Sequence, residues 1–308
     1  MFSVIFPGQG SQFVGMGKEF YDNFDYVREY FLIADEILKK KLSQIILEGP
    51  KEQLDLTQNT QSAIFLVSFS IFKVLEKETN FNIKDAKFYA GHSLGEYSAL
   101  CCADSINFEQ TINLLISRGI AMQNAVPKGE GGMTAILGKK IDEINHILKD
   151  KSRFQCFIAN DNSVGQIVVS GTLNSIKILE TELIKKKIKF VQLQVSAPFH
   201  CPLMKKATIE MENKILDTNF KDPSISIISN VTASPQNNSE EIKKLLIHQI
   251  EKPVRWRESV LNMIDLGINR FIEIGPGKVL SGLIKRIDRN IKLNQVNNLT
   301  DIKNITND

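Results

Sequence analysis

The chain has 308 residues, 43% of them apolar and 24% charged, with Lys+Arg 38 against Asp+Glu 35 and a formal net charge of +3. This composition fits one large or two modest globular domains, and the charge is too balanced to argue for nucleic acid or a membrane surface as partner. The four cysteines, Cys101, Cys102, Cys156 and Cys201, include no C-x-x-C, and the adjacent Cys101 and Cys102 argue against a disulfide framework; a reducing compartment fits best.

Phe2–Phe6 reads as a buried strand, and its flanks lack the charged region of a signal peptide. A Gly-rich loop follows, Pro7-Gly8-Gln9-Gly10-Ser11-Gln12, without the G-K-[ST] ending of a phosphate-binding loop. Helical patterns cover Asp25–Lys39 and Gln61–Glu78, the second behind Asn59 and Thr60 as cap candidates. The longest apolar run, Ala63 to Phe72, is too short to cross a bilayer and reads as a buried helix. A soluble cytoplasmic protein is expected.

Lys87–Ala90 reads as a strand feeding Gly91-His92-Ser93-Leu94-Gly95, and Glu96–Ala103 reads as a helix. Strand, G-x-S-x-G, then helix is the setting of a nucleophile elbow, where a sharp turn exposes the serine hydroxyl. Asn107 caps a further helix through Ala125, which carries Arg118.

Between the turn-rich stretches 127–131 and 196–198 the pattern becomes β-α-β-β-α-β. Its parts are Gly132–Leu137, Ile141–Lys149, Gln155–Ala159, a turn at Asp161-Asn162-Ser163, Gln166–Ser170, Leu173–Lys186 and Lys189–Val195. That order marks a small ferredoxin-like unit, here inserted into a larger α/β domain. The larger domain resumes with helices Leu203–Leu216, Glu240–Gln249 and Arg257–Leu266. Strands are expected at Ile225–Ser229 and Arg270–Ile274, then a helix at Val279–Arg286 and a frayed end at Asp301–Asp308. The expected division is 1–126 with 197–308 as the large domain, and 127–196 as the insert.

Ser93 needs a base to take its proton, and the chain offers four histidines. His92 shares the sharp turn and points elsewhere, while His146 and His248 sit on helices where surface roles are expected. His200 lies in Ser196-Ala197-Pro198-Phe199-His200-Cys201-Pro202, where two prolines restrict the ring's direction. It is the candidate base. The acid that would orient it in a triad is not identifiable, since candidates such as Glu273 have equally good structural explanations. An oxyanion hole requires two converging backbone N–H groups. Leu94 supplies one by its place after the nucleophile, and Gln9 between two glycines is the candidate for the other. Arg118 is the only charge between Glu109 and Lys128. Its planar fork suits a carboxylate ligand, and the same pattern also suits an ion pair within the fold.

Together, Pro7–Gln12, Gly91–Glu96, Arg118, Pro198-Phe199-His200 and Phe271-Ile272-Glu273-Ile274-Gly275-Pro276-Gly277 resemble the malonyl-CoA:acyl carrier protein transacylase family of type II fatty-acid synthesis. The resemblance runs from residue 2 to about residue 296. It implies an α/β-hydrolase-like large domain carrying the ferredoxin-like insert. It implies Ser93 as nucleophile, His200 as base, Gln9 and Leu94 as oxyanion hole, and Arg118 as clamp for the malonyl carboxylate. It further implies that a main-chain carbonyl near Gln249, ahead of Lys252-Pro253-Val254-Arg255-Trp256, orients the histidine, and that Asn160 lines the cleft. A proline common in relatives is missing from the loop 159–165.

The implied reaction moves malonyl from malonyl-CoA to the phosphopantetheine thiol of holo-acyl carrier protein through a malonyl-serine. Malonyl-CoA is a substrate, and no cofactor or metal is expected. A monomer without nucleic-acid or membrane partners is the expectation. Lys185, Lys186, Lys187 and Lys189 are either a docking patch for the acidic carrier or the solvated end of a helix. A polyketide acyltransferase would share every motif. A serine thioesterase would share Ser93 and His200 but lack Arg118, and a non-catalytic carrier-binding module would not need the full set.

Overall fold

The computed structural model describes residues 1–150, 153–195 and 197–306. Its strands are β1 Phe2–Phe6, β2 Phe88–Gly91, β3 Gly131–Leu137, β4 Cys156–Ser163 and β5 Gln166–Thr172. Then come β6 Phe190–Gln192, β7 Ile227–Ile228, β8 Pro235–Gln236, β9 Arg270–Ile274 and β10 Lys292–Val296. They form a six-stranded sheet ordered β10-β9-β1-β2-β7-β8 and a four-stranded sheet ordered β4-β5-β3-β6.

In the larger sheet β1 lies between β2 and β9, and all pairings except β7–β8 are parallel. Both faces are covered, as a parallel sheet requires. Val4, Phe6 and Tyr89 point into one apolar cluster with the helix Thr57–Glu78. Ile5, Phe88 and Ala90 point into a second, around Trp256 and Ile284. The carboxyl ends of β1, β2 and β7 therefore lie side by side. In an open α/β sheet that edge is where ligands bind, and Gln9, Ser93 and Asn230 each follow one of these ends.

The four-stranded sheet is antiparallel throughout. Ile136, Ile167 and Val169 face its own helices, Ile141–Ile147 and Leu173–Lys185. Met133, Ala135 and Val168 face the main core, so this sheet forms one wall of the cleft. The edge strand β4 is stitched to the larger unit. Val254 N–H donates to Ala159 O at 2.8 Å, and Asp161 N–H donates to Val254 O at 3.0 Å. The Asp161 carboxylate also pairs with Arg257 at 2.8 Å.

Four expectations need correction. Asp161, Asn162 and Ser163 continue β4 instead of turning, because register shifts between Ile158 and Asn160 and between Asp161 and Ser163 absorb the polar residues while Val254 pairs the outer edge. The hairpin turns at Val164-Gly165, where Gly165 has φ +80°. The long helix begins at Thr57, so Asn59 and Thr60 lie inside it; their side chains donate to Gln53 O and Leu54 O and close the preceding turn. The strand expected at Lys189–Val195 is confined to Phe190–Gln192. The end is helical at Leu299–Thr306, with Asn298 Oδ1 accepting Asp301 N–H and Ile302 and Ile305 buried. Residues 307 and 308, and Ser196 at the expected domain junction, lie outside the described residues.

Candidate active site

The bend after β2 is sterically tight. A Cβ on Gly91 would fall 1.9 Å from Gly95 C, so the turn closes only without that atom. Ser93 takes φ 53°, a left-handed conformation disfavoured for a residue with a side chain. Its main chain is held from three directions. Ser93 N–H donates to Asn230 Oδ1 at 2.7 Å. Ser93 O accepts from Gln249 Nε2 at 3.1 Å and from Glu96 N–H at 3.1 Å. Asn230 Nδ2 also donates to Gly91 O at 2.7 Å, clamping both sides of the bend.

Ser93 Oγ lies 2.8 Å from His200 Nε2. His200 arrives on the loop before the helix Lys205–Asp217 and is itself left-handed, with φ 56°. Its Nδ1 lies 2.8 Å from the Gln249 main-chain carbonyl, at the end of the helix Ser239–Gln249. A carbonyl can only accept, so Nδ1 carries the proton and Nε2 presents its lone pair to Ser93. Burial, and then the nearby Arg118 charge, hold the His200 pKa down to about 3. Glu273 is committed elsewhere: its carboxylate caps the helix Val279–Ile287 through the N–H groups of Leu280 and Ser281.

Arg118 is 1% exposed. Gly119 beside it lets its helix, Phe108–Asn124, approach Thr57–Glu78, since a Cβ there would fall 2.7 Å from Gln58 Cα. Across that contact Arg118 Nη1 donates to Gln61 Oε1 at 2.7 Å. Its Nη2 donates to Gln249 Oε1 at 2.9 Å and Ser93 Oγ at 3.1 Å. The guanidinium also lies 5.5 Å from the Tyr97 ring centroid. Among the described residues no carboxylate pairs with it directly, and its Nε has no hydrogen-bond partner. The alternative of a direct ion pair within the fold is therefore not what the geometry contains. The cation stands against neutral amides beside the serine.

Gln9, Ser93, Leu94, Arg118, Asn160 and His200 all line one small cleft of about 100 Å³. Leu94 sits at the N-terminus of the helix Gly95–Cys102. Among the described residues its N–H and that of Gln9 make no hydrogen bond within the chain, whereas Ser93 N–H is occupied by Asn230. Asn160 is buried on β4. His92 borders the same cleft, but its Nε2 meets Asn162 Oδ1 at 2.8 Å and not Ser93. His146 and His248 are exposed. Lys185, Lys186, Lys187 and Lys189 are exposed at and just beyond a helix end, where Lys186 pairs with Glu182 at 3.4 Å. Among the described residues no group of three or more His, Cys, Asp or Glu is placed to hold a metal, and no helix is long and apolar enough to cross a membrane.

Gln61, Glu96 and Asn230 were not singled out in sequence. Gln61 and Asn230 carry no local signal, since their function depends on partners far along the chain. Glu96 did carry one: it is the only charge in the helix Gly95–Cys102.

The acyl transferase domain family matches residues 3–300. The chain is 42% identical over 294 residues to a malonyl CoA-acyl carrier protein transacylase of Bacillus subtilis (strain 168), covering 94% of this chain and 91% of the relative. The solved acyl-carrier-protein-S-malonyltransferase from Bartonella henselae superposes with TM-score 0.95 at 41% identity, covering 99% of this chain and 98% of that one. A type II PKS acyl-carrier protein in complex with its malonyl-transacylase contains a chain similar at 34% identity and TM-score 0.95, with 99% of each chain covered.

Proposed function

Because the chain belongs to the malonyl CoA-acyl carrier protein transacylase family, we propose that its cleft moves malonyl from malonyl-CoA to the thiol of an acyl carrier protein through an ester on Ser93. The observation that carries this reading is a single hydroxyl faced by two groups: His200 Nε2 at 2.8 Å and Arg118 Nη2 at 3.1 Å. The first is a proton acceptor. The second is a buried cation without a direct carboxylate partner among the described residues.

Ser93 Oγ attacks the thioester carbonyl carbon as its proton passes to His200 Nε2. The carbonyl oxygen gains negative charge against the free N–H groups of Leu94 and Gln9. The C–S bond breaks, and the CoA thiolate leaves with the proton from His200. The phosphopantetheine thiol of the carrier then gives its proton to His200 and attacks the ester carbonyl. Ser93 recovers its proton from His200 as the new thioester forms. Throughout, Arg118 holds the distal carboxylate of the acyl group, and Gln249 O keeps the imidazole in register. Asn160 borders the same space from the small sheet.

This chemistry uses no cofactor or metal. A monomer acting in the cytoplasm is part of this proposal, and the near-balanced charge is in line with the lack of a nucleic-acid or membrane partner. The strand order β4-β5-β3-β6, read within the β-α-β-β-α-β unit, supports a ferredoxin-like insert over 127–196 in a hydrolase-like domain formed by 1–126 and 197–308. Purified protein incubated with labelled malonyl-CoA, then with holo-carrier protein or buffer, tests the function. Label passing to the carrier is expected. Release only as free malonate would make the protein a thioesterase. Fatty-acid and polyketide carriers run side by side would assign the pathway.

A further inference from the structure

We propose that Glu96 is a positioning residue for acyl transfer: one of its carboxylate oxygens ties together the two distant segments that hold Ser93 and His200. Glu96 Oε2 accepts Asn230 N–H at 3.0 Å and Gln249 Nε2–H at 2.8 Å. Each of these residues holds the main chain of the nucleophile, Asn230 at its N–H and Gln249 at its carbonyl. Gln249 also supplies the carbonyl that meets His200 Nδ1. Glu96 itself touches neither the hydroxyl nor the imidazole.

The carboxylate also decides which way the Gln249 amide faces. Its NH₂ lies between two acceptors, Glu96 Oε2 and Ser93 O, so its oxygen must face Arg118 Nη2. Turning the amide over would oppose donor to donor at Arg118 and acceptor to acceptor at Glu96. Arg118 is thereby held by neutral oxygens and keeps its charge for a ligand. An acid in direct contact would compete with the substrate carboxylate. Glu96 is 2% exposed, and burial raises its pKa to about 7. A carboxyl in so unfavourable a place is explained by the two bonds it accepts.

The inference rests on the acyl-transfer reading, and its test separates the two. The rate of Ser93 labelling by malonyl-CoA, the KM and the melting temperature are measured for wild type, S93A, E96Q and E96D. E96Q keeps an oxygen able to accept both bonds, whereas E96D keeps the charge but withdraws it by one methylene. E96D should acylate about 10- to 100-fold more slowly with KM unchanged. E96Q should lose less than about tenfold. E96D at least as fast as E96Q, a folded but inactive E96Q, or a loss confined to KM would overturn the role of Glu96. If E96D does not fold, a folded but inactive E96Q still overturns the role. Failure of wild type to take up label, or equal labelling of S93A, would overturn the acyl-transfer reading itself.

Discussion

His200 Nδ1 lies 2.8 Å from the main-chain carbonyl oxygen of Gln249, where a triad hydrolase would place a carboxylate. The carbonyl fixes the tautomer as a carboxylate would, but it brings no full negative charge to stabilise the imidazolium. With burial and Arg118 also opposing that charge, His200 is held neutral far below the usual histidine range.

Replacing the paired groups should separate acylation from binding. S93A should form no covalent malonyl-enzyme, and H200A should lower the acylation rate by about 10²- to 10⁴-fold. Quenched-flow labelling with malonyl-CoA measures both. A normal labelling rate in H200A would remove the imidazole from the mechanism.

Arg118→Ala should lose discrimination more than it loses acyl transfer. Sites built around a polar partner reject substrates lacking it by up to about 10⁴–10⁵, so the malonyl-over-acetyl preference should collapse. The variant also leaves the buried Gln61 and Gln249 oxygens without their donor, at about 1–3 kcal/mol for each unsatisfied group. A lowered melting temperature should accompany the loss. Competition between labelled acetyl-CoA and malonyl-CoA measures the preference, and undiminished malonyl selectivity would contradict the clamp.

The pH profile of acylation should lack an ordinary histidine limb. His200 acts as a base only when neutral, and its pKa is lowered from 6.5 to about 3. The rate should therefore stay level as pH falls through 6.5, for as long as circular dichroism reports a folded chain. For stability the sign is also set. The unfolded chain binds the His200 proton below 6.5 and the folded chain only near 3, so this group's contribution to stability is present above 6.5 and is lost progressively as pH drops from 6.5 toward 3. An acid limb centred at 6.5 in the acylation rate would contradict the assignment.

Glu96→Gln should stabilise the protein at neutral and alkaline pH. The Glu96 carboxyl is raised from 4.5 to about 7, so the folded state holds its proton more tightly than the unfolded state. Its contribution is fully present below 4.5 and is lost as pH rises through about 7. Glutamine avoids that cost while retaining an acceptor oxygen. Its advantage in unfolding free energy should be small at pH 5 and reach about 3 kcal/mol by pH 8. Urea titrations at the two pH values measure it, and a variant less stable at both would show that the ionised oxygen is worth more than its burial costs.

Local sequence specified whatever depends on neighbours within a few residues. Strand, elbow and helix around Ser93 were legible because glycine spacing fixes a turn that no larger residue can make. The helix behind Asn107 was legible because its capping box closes within four residues, Asn107 to Gln110. The polar run Asp161-Asn162-Ser163 was misread because its strand is completed by Val254, whose position no local pattern records. His200 could be chosen from four histidines by its proline-bounded loop, yet its orienting partner could not be derived from residue types, since the group that meets Nδ1 is a main-chain carbonyl, which every residue supplies. Only the tertiary structure decided that Gln61, Asn230 and Gln249 converge with Glu96 on Ser93 and Arg118. Amide and carbonyl groups act through direction and distance, and those are fixed when β1, β2 and β7 bring their carboxyl ends together under the small sheet.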